Sequence, residues 1–461
     1  MAITQGTKKS YDITAAVGTA SGIGQDADVR QLYSWGDEVA SLNPEESPFF
    51  VYLSNVAKVP VDSSVFRFTE DRTKTDFASR TFQISSSGYT GTVVAGTSYA
   101  FQVDASSASV DWLIKGQVFN IVTVYGTAGY AQVPVRIEST PIDMGSTTSF
   151  TGKVLDLSNV NISGYATVAN DDYCQVIGTS FIEGSGAPDV WSDEISEDFG
   201  YTQIFKTAAE LTNTAIATKY RGYANEWDRI WNLKLREHKV DIERAMLFGQ
   251  RALQGNIRYT EGAVGHIVKN AEPLDADEAL SYTSGVPYYR TVAADEMIFD
   301  RLLSDFEVLY DPARGGSGDR LVLCSLPVIT MFNKLADGNF LYESLQASTT
   351  HTPLGMNFEI KDGNFGHKLH TIDTIHGTAH LVKEPLFRGP SLGLMAFLDM
   401  NMIKYRPLVG NGLNRDTFIK TNVQSDDEDL RKDLILTEAG LELALPESHM
   451  LYNIEGFSQT L

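Results

Sequence analysis

The sequence predicts an α+β chain in which several compact units are strung on one long helix. Residues 225–254 repeat their apolar side chains with helical period. Residues 83–175 are rich in Thr, Ser, Val and Gly and break into strand-sized runs, and residues 320–398 alternate strand and helix patterns over a short span. A chain of 461 residues has room for two to four such units, each with its own core.

In the long stretch the apolar residues are Trp227, Trp231, Leu235, Ile242, Met246 and Leu253. Steps of three, four and seven residues line one face of a helix, which strand alternation cannot do. Asn225 is a good N-cap, Glu226 and Asp228 put negative charge in the first turn, and Gly255 offers a left-handed stop. Such a helix would be roughly 45 Å long at 1.5 Å per residue, beyond the usual globular length, and reads as a spine.

Ahead of it, residues 1–28 form an N-terminal arm rich in Ala, Gly, Ser and Thr with no periodic apolar face. The arm contains glycines at 18, 22 and 24, the spacing of a dinucleotide-binding turn. The residues before them, Tyr11 to Ala16, are too polar for a buried strand, and no Tyr-x-x-x-Lys pair follows, so no cofactor is called for. Residues 29–82 comprise a short helix with Leu32, Trp35, Val39 and Leu42 on one side, stopped at Asn43-Pro44, and then an extended, aromatic loop bearing Phe49, Phe50, Phe66 and Phe68. The β-rich residues 83–175 read as an inserted, outward-facing domain whose only basic residues are Lys115, Arg136 and Lys153.

Behind the spine, a second amphipathic helix covers about residues 292–310, with Ile298, Leu302, Phe306 and Leu309 on its buried face. A Gly-rich loop, 311–318, leads to the mixed unit 320–398, and residues 399–461 carry alternating apolar stretches read as return strands around the acidic turn at Asp426.

Net charge is −22, from 37 Lys and Arg against 59 Asp and Glu. Binding nucleic acid by charge neutralisation needs the opposite balance, although a protein that merely surrounds nucleic acid does not. No apolar run approaches the length needed to span a bilayer. The two cysteines, Cys174 and Cys324, cannot make a disulfide framework, and folding in a reducing compartment is the expectation.

Chemistry is hard to find. His367, His370, His376 and His380 could in principle hold zinc for a hydrolase, but H-x-x-H lacks the i, i+4 step of a helical site and carries no glutamate base. No Gly-x-Ser-x-Gly elbow or phosphate-binding loop of the Gly-x-x-x-x-Gly-Lys type occurs. The expectation is a protein that is not an enzyme, with no catalytic, cofactor or metal residues.

The order of parts is itself informative. The segment LNPEESPFF at 42–50 precedes the extended loop; FIEGSGAPD at 181–189 and YTQIF at 201–205 lead into the spine; MIKYRPL at 402–408 and LELALPESH at 441–449 stand near the end. In this order the chain resembles the major capsid proteins of tailed bacteriophages, which share the Hong Kong 97 phage capsid fold. The resemblance implies a peripheral domain at 176–319 with the spine helix at 225–254, an axial domain at 320–398, and peripheral return strands at 399–461. It implies self-assembly through pentamers and hexamers into an icosahedral shell enclosing double-stranded DNA without sequence-specific binding. Portal, scaffolding or cement proteins would be its other partners, the virion its location, and the host bacterial cytoplasm its place of assembly, with no membrane involved. Phe49, Phe50, Phe66 and Phe68 would then be buried between subunits, and Trp227, Trp231, Leu235, Ile242 and Met246 would pack the spine. A tail-tube or decoration protein is the alternative of the same kind, suggested by the Ser/Thr/Gly-rich insert.

Overall fold

The computed structural model describes residues 49–50, 53, 58–71, 81–104, 110, 112–125, 129–144, 147–155, 167–190, 195–220, 225–274, 286–294, 296–297, 299–311, 318–332, 357–362 and 368–457. The N-terminal arm, the helix at 29–42, most of the Gly-rich loop and His367 lie outside the described residues.

The spine helix runs Glu226–Phe248, about 35 Å, with Asn225 Oδ1 accepting from Trp227 N at 3.0 Å as the cap. It stops six residues short of the predicted end. Gly249 closes it, its N–H donating to the carbonyl of Ala245. Gly255, with φ +59°, instead makes the turn of a hairpin between Ala252–Gln254 and Ile257–Tyr259, so Leu253 is exposed. A lone apolar residue at helical spacing extended the periodicity past the true end.

The spine lies on a four-stranded antiparallel sheet. Its centre is the 14-residue strand Leu430–Leu443, flanked by Gln203–Thr212 on one side and by Ile403–Pro407 and Phe418–Lys420 on the other. Gln203–Thr212 buries Phe205, Thr207 and Ala209 at alternate positions, the pattern of a strand with one covered face.

A second, eight-stranded mixed sheet follows. Its order is Glu272–Leu274, Tyr288–Ala293, Met450–Glu455, Leu394–Leu398, Asp319–Cys324, Thr378–Lys383, Lys368–Asp373 and Asn357–Asp362. It draws on residues well outside 320–398, and the predicted helix at 292–310 begins as the strand Tyr288–Ala293, becoming helical only at Phe299–Leu309. Asp319–Cys324 is buried at five of six positions because both faces are covered. One face packs Val322, Met395, Phe397 and Tyr452 against the Phe299–Leu309 helix. The other packs Leu321, Leu323, Val382, Leu398 and Leu451 into a core shared with Ile242, Met246 and Leu247 of the spine. The two sheets are therefore joined through common apolar packing.

The inserted domain is separate. Six strands pair in the order Thr81–Gln83, Tyr173–Thr179, Gln117–Tyr125, Gly129–Ile137, Thr147–Val154 and Ser98–Asp104, with Ile142–Asp143 added at Thr147–Val154. A bridge between Ile84 and Val103 brings the last strand back to the first, so the sheet closes on itself. Phe101, Phe119 and Phe150 fill the inside with Val133, Val135 and Trp112, a core distinct from the other two.

Candidate assembly elements

The insert is carried on a two-stranded antiparallel ribbon, Val65–Glu70 paired with Ser196–Tyr201, from Val65↔Tyr201 at the root to Glu70↔Ser196 at the far end. The returning strand was not legible in the sequence, since SEDFGY has no apolar alternation of its own. An isolated two-stranded ribbon is marginal in water, so it needs an anchor.

Phe66 provides that anchor. It pairs with Gly200 across the ladder, and its ring covers both that glycine and Gly440 of the long central strand. A Cβ added at Gly200 would lie 2.6 Å from Phe66 Cε2, and one at Gly440 2.7 Å from Phe66 Cε1 and 2.6 Å from the Tyr201 carbonyl oxygen. The absent side chains are what make room for the ring. The Arg406 guanidinium stands 6.0 Å from the ring centroid. Buried Glu70 accepts from Leu445 N at 2.9 Å, tying the outgoing strand to the end of the central one.

The ribbon's other face looks outward. Val65 and Phe199 are each 40% exposed, and Arg67 pairs with Glu197 at 3.4 Å in solvent. Arg251, just past the spine, lies 4.4 Å over the Phe199 ring and donates to Asp198 Oδ1 at 2.7 Å and to the Phe199 carbonyl.

Two of the four phenylalanines fare differently from expectation. Phe49 and Phe66, expected between subunits, are buried within their own chain, Phe66 in the glycine seat just described and Phe49 in the core around Ile242 and Met246. A large ring beside a vacant backbone surface fills it whether or not a neighbour is present. Phe50 and Phe68 are half-buried, Phe50 with its edge against Tyr405 at 5.9 Å.

Of the spine residues, Trp227, Ile242 and Met246 are buried, while Trp231 and Leu235 are half-buried. Trp227 stacks on Trp231 at 6.3 Å and is covered by Arg431 at 4.3 Å. The seven-residue step from Leu235 to Ile242 is bridged by buried His238, a residue the apolar pattern skips. Its Nδ1 lies 2.9 Å from Thr207 Oγ1 and its Nε2 2.8 Å from Thr437 Oγ1, stitching the helix to two strands of the sheet. Burial lowers its pKa.

Charge is also buried. Glu243 of the spine accepts from Phe49 N at 2.8 Å and Phe50 N at 3.3 Å. Glu384, also buried, accepts from Leu386 N at 3.1 Å. Burial, then repulsion from Glu384, pushes Glu243 up to about 9, and burial pushes Glu384 up to about 7. Arg290 of the strand Tyr288–Ala293 donates to Asp305 of the helix Phe299–Leu309 at 3.1 Å, and Arg320 donates to Asp399 at 3.3 Å with both side chains fully buried. Asp399 N donates to His449 Nδ1 at 3.1 Å, and burial holds His449 down at about 3.

Three of the four candidate histidines fall among the described residues. The ladder sets His370 opposite Leu381 and His380 opposite Thr371, at register positions of opposite parity, and His376 sits in the connecting turn. Among the described residues no three His, Cys, Asp or Glu side chains are placed to hold a metal ion. Both cysteines are free and buried. No described helix is long and apolar enough to cross a membrane.

Solved structures similar to the chain include the capsid of a native GTA particle, at 8% identity and TM-score 0.39 over 96% of this chain and 100% of that one. Another is the mature capsid of bacteriophage PhiM1, at 11% identity and TM-score 0.38 over 61% and 79%. A third is the SrpI encapsulin complex from Synechococcus elongatus, at 10% identity and TM-score 0.35 over 59% and 80%. No curated protein matches the chain. The family model of the SU10 major capsid protein matches residues 14–455, nearly the whole length, and the chain belongs to that family of phage major capsid proteins.

Proposed function

We propose that this major capsid protein assembles through pentamers and hexamers into an icosahedral head shell around double-stranded DNA. The family match over residues 14–455 is the observation that carries this reading. The spine helix and four-stranded sheet would serve as the peripheral domain, the eight-stranded sheet as the axial domain around five- and six-fold centres, and the ribbon as the extended loop lying over an adjacent subunit. Two features support the last role. The ribbon has unpaired edges, and its outward face exposes Val65 and Phe199. Phe68 and Phe50 are the remaining aromatic candidates for contact with a neighbour.

The role is structural and not enzymatic. Buried charges such as Arg290–Asp305, between a strand and its covering helix, and Arg320–Asp399 are spent within the fold. A net charge of −22 suits a container filled by a motor rather than by condensation on a basic lining. Screening beyond about 8 Å at physiological salt limits repulsion between copies, leaving apolar burial to drive association. Assembly in the host cytoplasm, with portal, scaffolding or cement proteins as partners, completes the reading. Electron microscopy of the expressed full-length chain tests it: pentamers, hexamers or closed shells are expected. A species that stays monomeric across concentration and ionic strength, or one that forms only tubes, overturns it.

A further inference from the structure

The hairpin just past the spine, Ala252–Gln254 paired with Ile257–Tyr259 around Gly255, carries apolar side chains that its own fold does not use. Among the described residues Leu253, Ile257 and Tyr259 are 56%, 59% and 37% exposed, and none of them joins any of the three cores. Two strands of three residues are marginal in water, so this hairpin needs fastening. Arg251, at its entrance, donates to Asp198 Oδ1 and to the Phe199 carbonyl. Arg258, within it, donates to the Thr202 carbonyl at 3.2 Å and to Glu438 of the central strand at 2.9 Å. At its exit Thr260 N donates to Gln203 Oε1 at 3.1 Å. The hairpin is therefore fixed at entrance, middle and exit to residues 198–203, where the ribbon passes into the four-stranded sheet.

Alternation sets the direction of its side chains. Arg258 points at the body, so Ile257 and Tyr259 on either side of it point away. Across the ladder Ile257 lies opposite Gln254 and Tyr259 opposite Ala252, all uncharged or apolar. Residues 252–257, ALQGNI, carry no charged side chain in a chain of net charge −22. Beside the hairpin, register places Val65, Phe199 and Tyr201 on one face of the ribbon, with the Phe199 and Tyr201 rings edge to face at 5.5 Å. Arg251 joins the two parts, its guanidinium 4.4 Å over the Phe199 ring.

We propose that the hairpin 252–259 and the outward face of the ribbon root form one composite surface that seats against a second copy of this chain. The proposal rests on the shell reading and names a contact within it. A second copy fits for two reasons. The chain belongs to a family of capsid proteins, so copies of itself are its neighbours. Each copy also carries the same large negative charge, so contact is least opposed where the surface is apolar and uncharged, as it is here; a basic patch would instead suit an acidic partner. Because the hairpin is already held by Arg251, Arg258 and Thr260, docking orders little further backbone.

Hydroxyl-radical footprinting with mass spectrometry, applied to the purified full-length chain before and after assembly, tests this. Leu253, Ile257 and Tyr259 are expected to oxidise readily in the unassembled chain and to be protected in shells, where no other protein is present to cover them. Ile257→Ser removes apolar contact without adding charge. It should leave the urea midpoint of the unassembled chain unchanged and raise the concentration needed for assembly about tenfold, the size of one interface contact. Oxidation that is equal before and after assembly, or protection already complete in the unassembled chain, overturns the proposal and leaves the shell reading intact. So does an Ile257→Ser chain that assembles as readily as the native one. A native chain that never assembles overturns both. Should the variant misfold, footprinting of the native chain still decides.

Discussion

Adding a single methyl group at the root of the ribbon tests how the insert is held. In Gly200→Ala the new Cβ falls 2.6 Å from Phe66 Cε2, where ordinary contact needs about a further ångström. The ring has little room to retreat, because Gly440 backs it on the central strand and Arg406 stands beyond. A shifted but retained ring costs about 1–3 kcal/mol, the usual range for overpacking. A ring driven out forfeits a buried phenylalanine, raising the cost to about 3–5 kcal/mol. Urea unfolding of the unassembled chain reads the loss, and particle yield by microscopy reads its effect on assembly. Phe66→Leu in the Gly200→Ala background should recover part of the deficit, giving a coupling of about 0.5–3 kcal/mol in a double-mutant cycle. An unchanged midpoint in Gly200→Ala, or strict additivity in the cycle, would refute the glycine-seat argument.

Three further outcomes are expected. Asp399→Ala removes the carboxylate that Arg320 meets at 3.3 Å, both side chains being fully buried, and should cost about 3–5 kcal/mol in unfolding experiments, far more than removal of the exposed Arg67–Glu197 pair. His449, held at about 3 by burial, favours folding above its ordinary pKa, so stability should fall by about 1.4 kcal/mol per pH unit below pH 6.5, and His449→Gln should reduce that slope by one proton's worth. Residues 81–179 expressed alone should fold into a β-structure with dispersed amide resonances, because their core shares no residue with the other two.

Elements with a strong local signal were legible in advance. The N-cap at Asn225, the apolar face of the spine and the strands at 117–125 and 129–137 follow from capping chemistry and periodicity. What escaped depended on partners distant in sequence. The strand Ser196–Tyr201 exists because Val65–Glu70 lies beside it, and the closing strand Met450–Glu455 is recruited to a sheet whose other members begin at Glu272. His238 and Glu243 sit on the buried face of the spine, where a hydrophobicity pattern registers only gaps; a histidine and a glutamate on an apolar stripe were the available hint. Phe49 and Phe66 show the complementary error, since composition reveals that a ring will be buried but not by whom.

The ribbon also determines where mechanical load falls. Its strands run out to the insert and back, so a pull on that domain along the ribbon tugs both in the same direction and sets up little shear between them. The cross-strand ladder is then spared, and tension passes to the points where the ribbon is fastened to the body: Phe66 in its seat near the root, Arg251 gripping Asp198 midway, and Glu70 gripping Leu445 at the far end. Those three fastenings, rather than the stalk itself, set the force at which the domain tears loose.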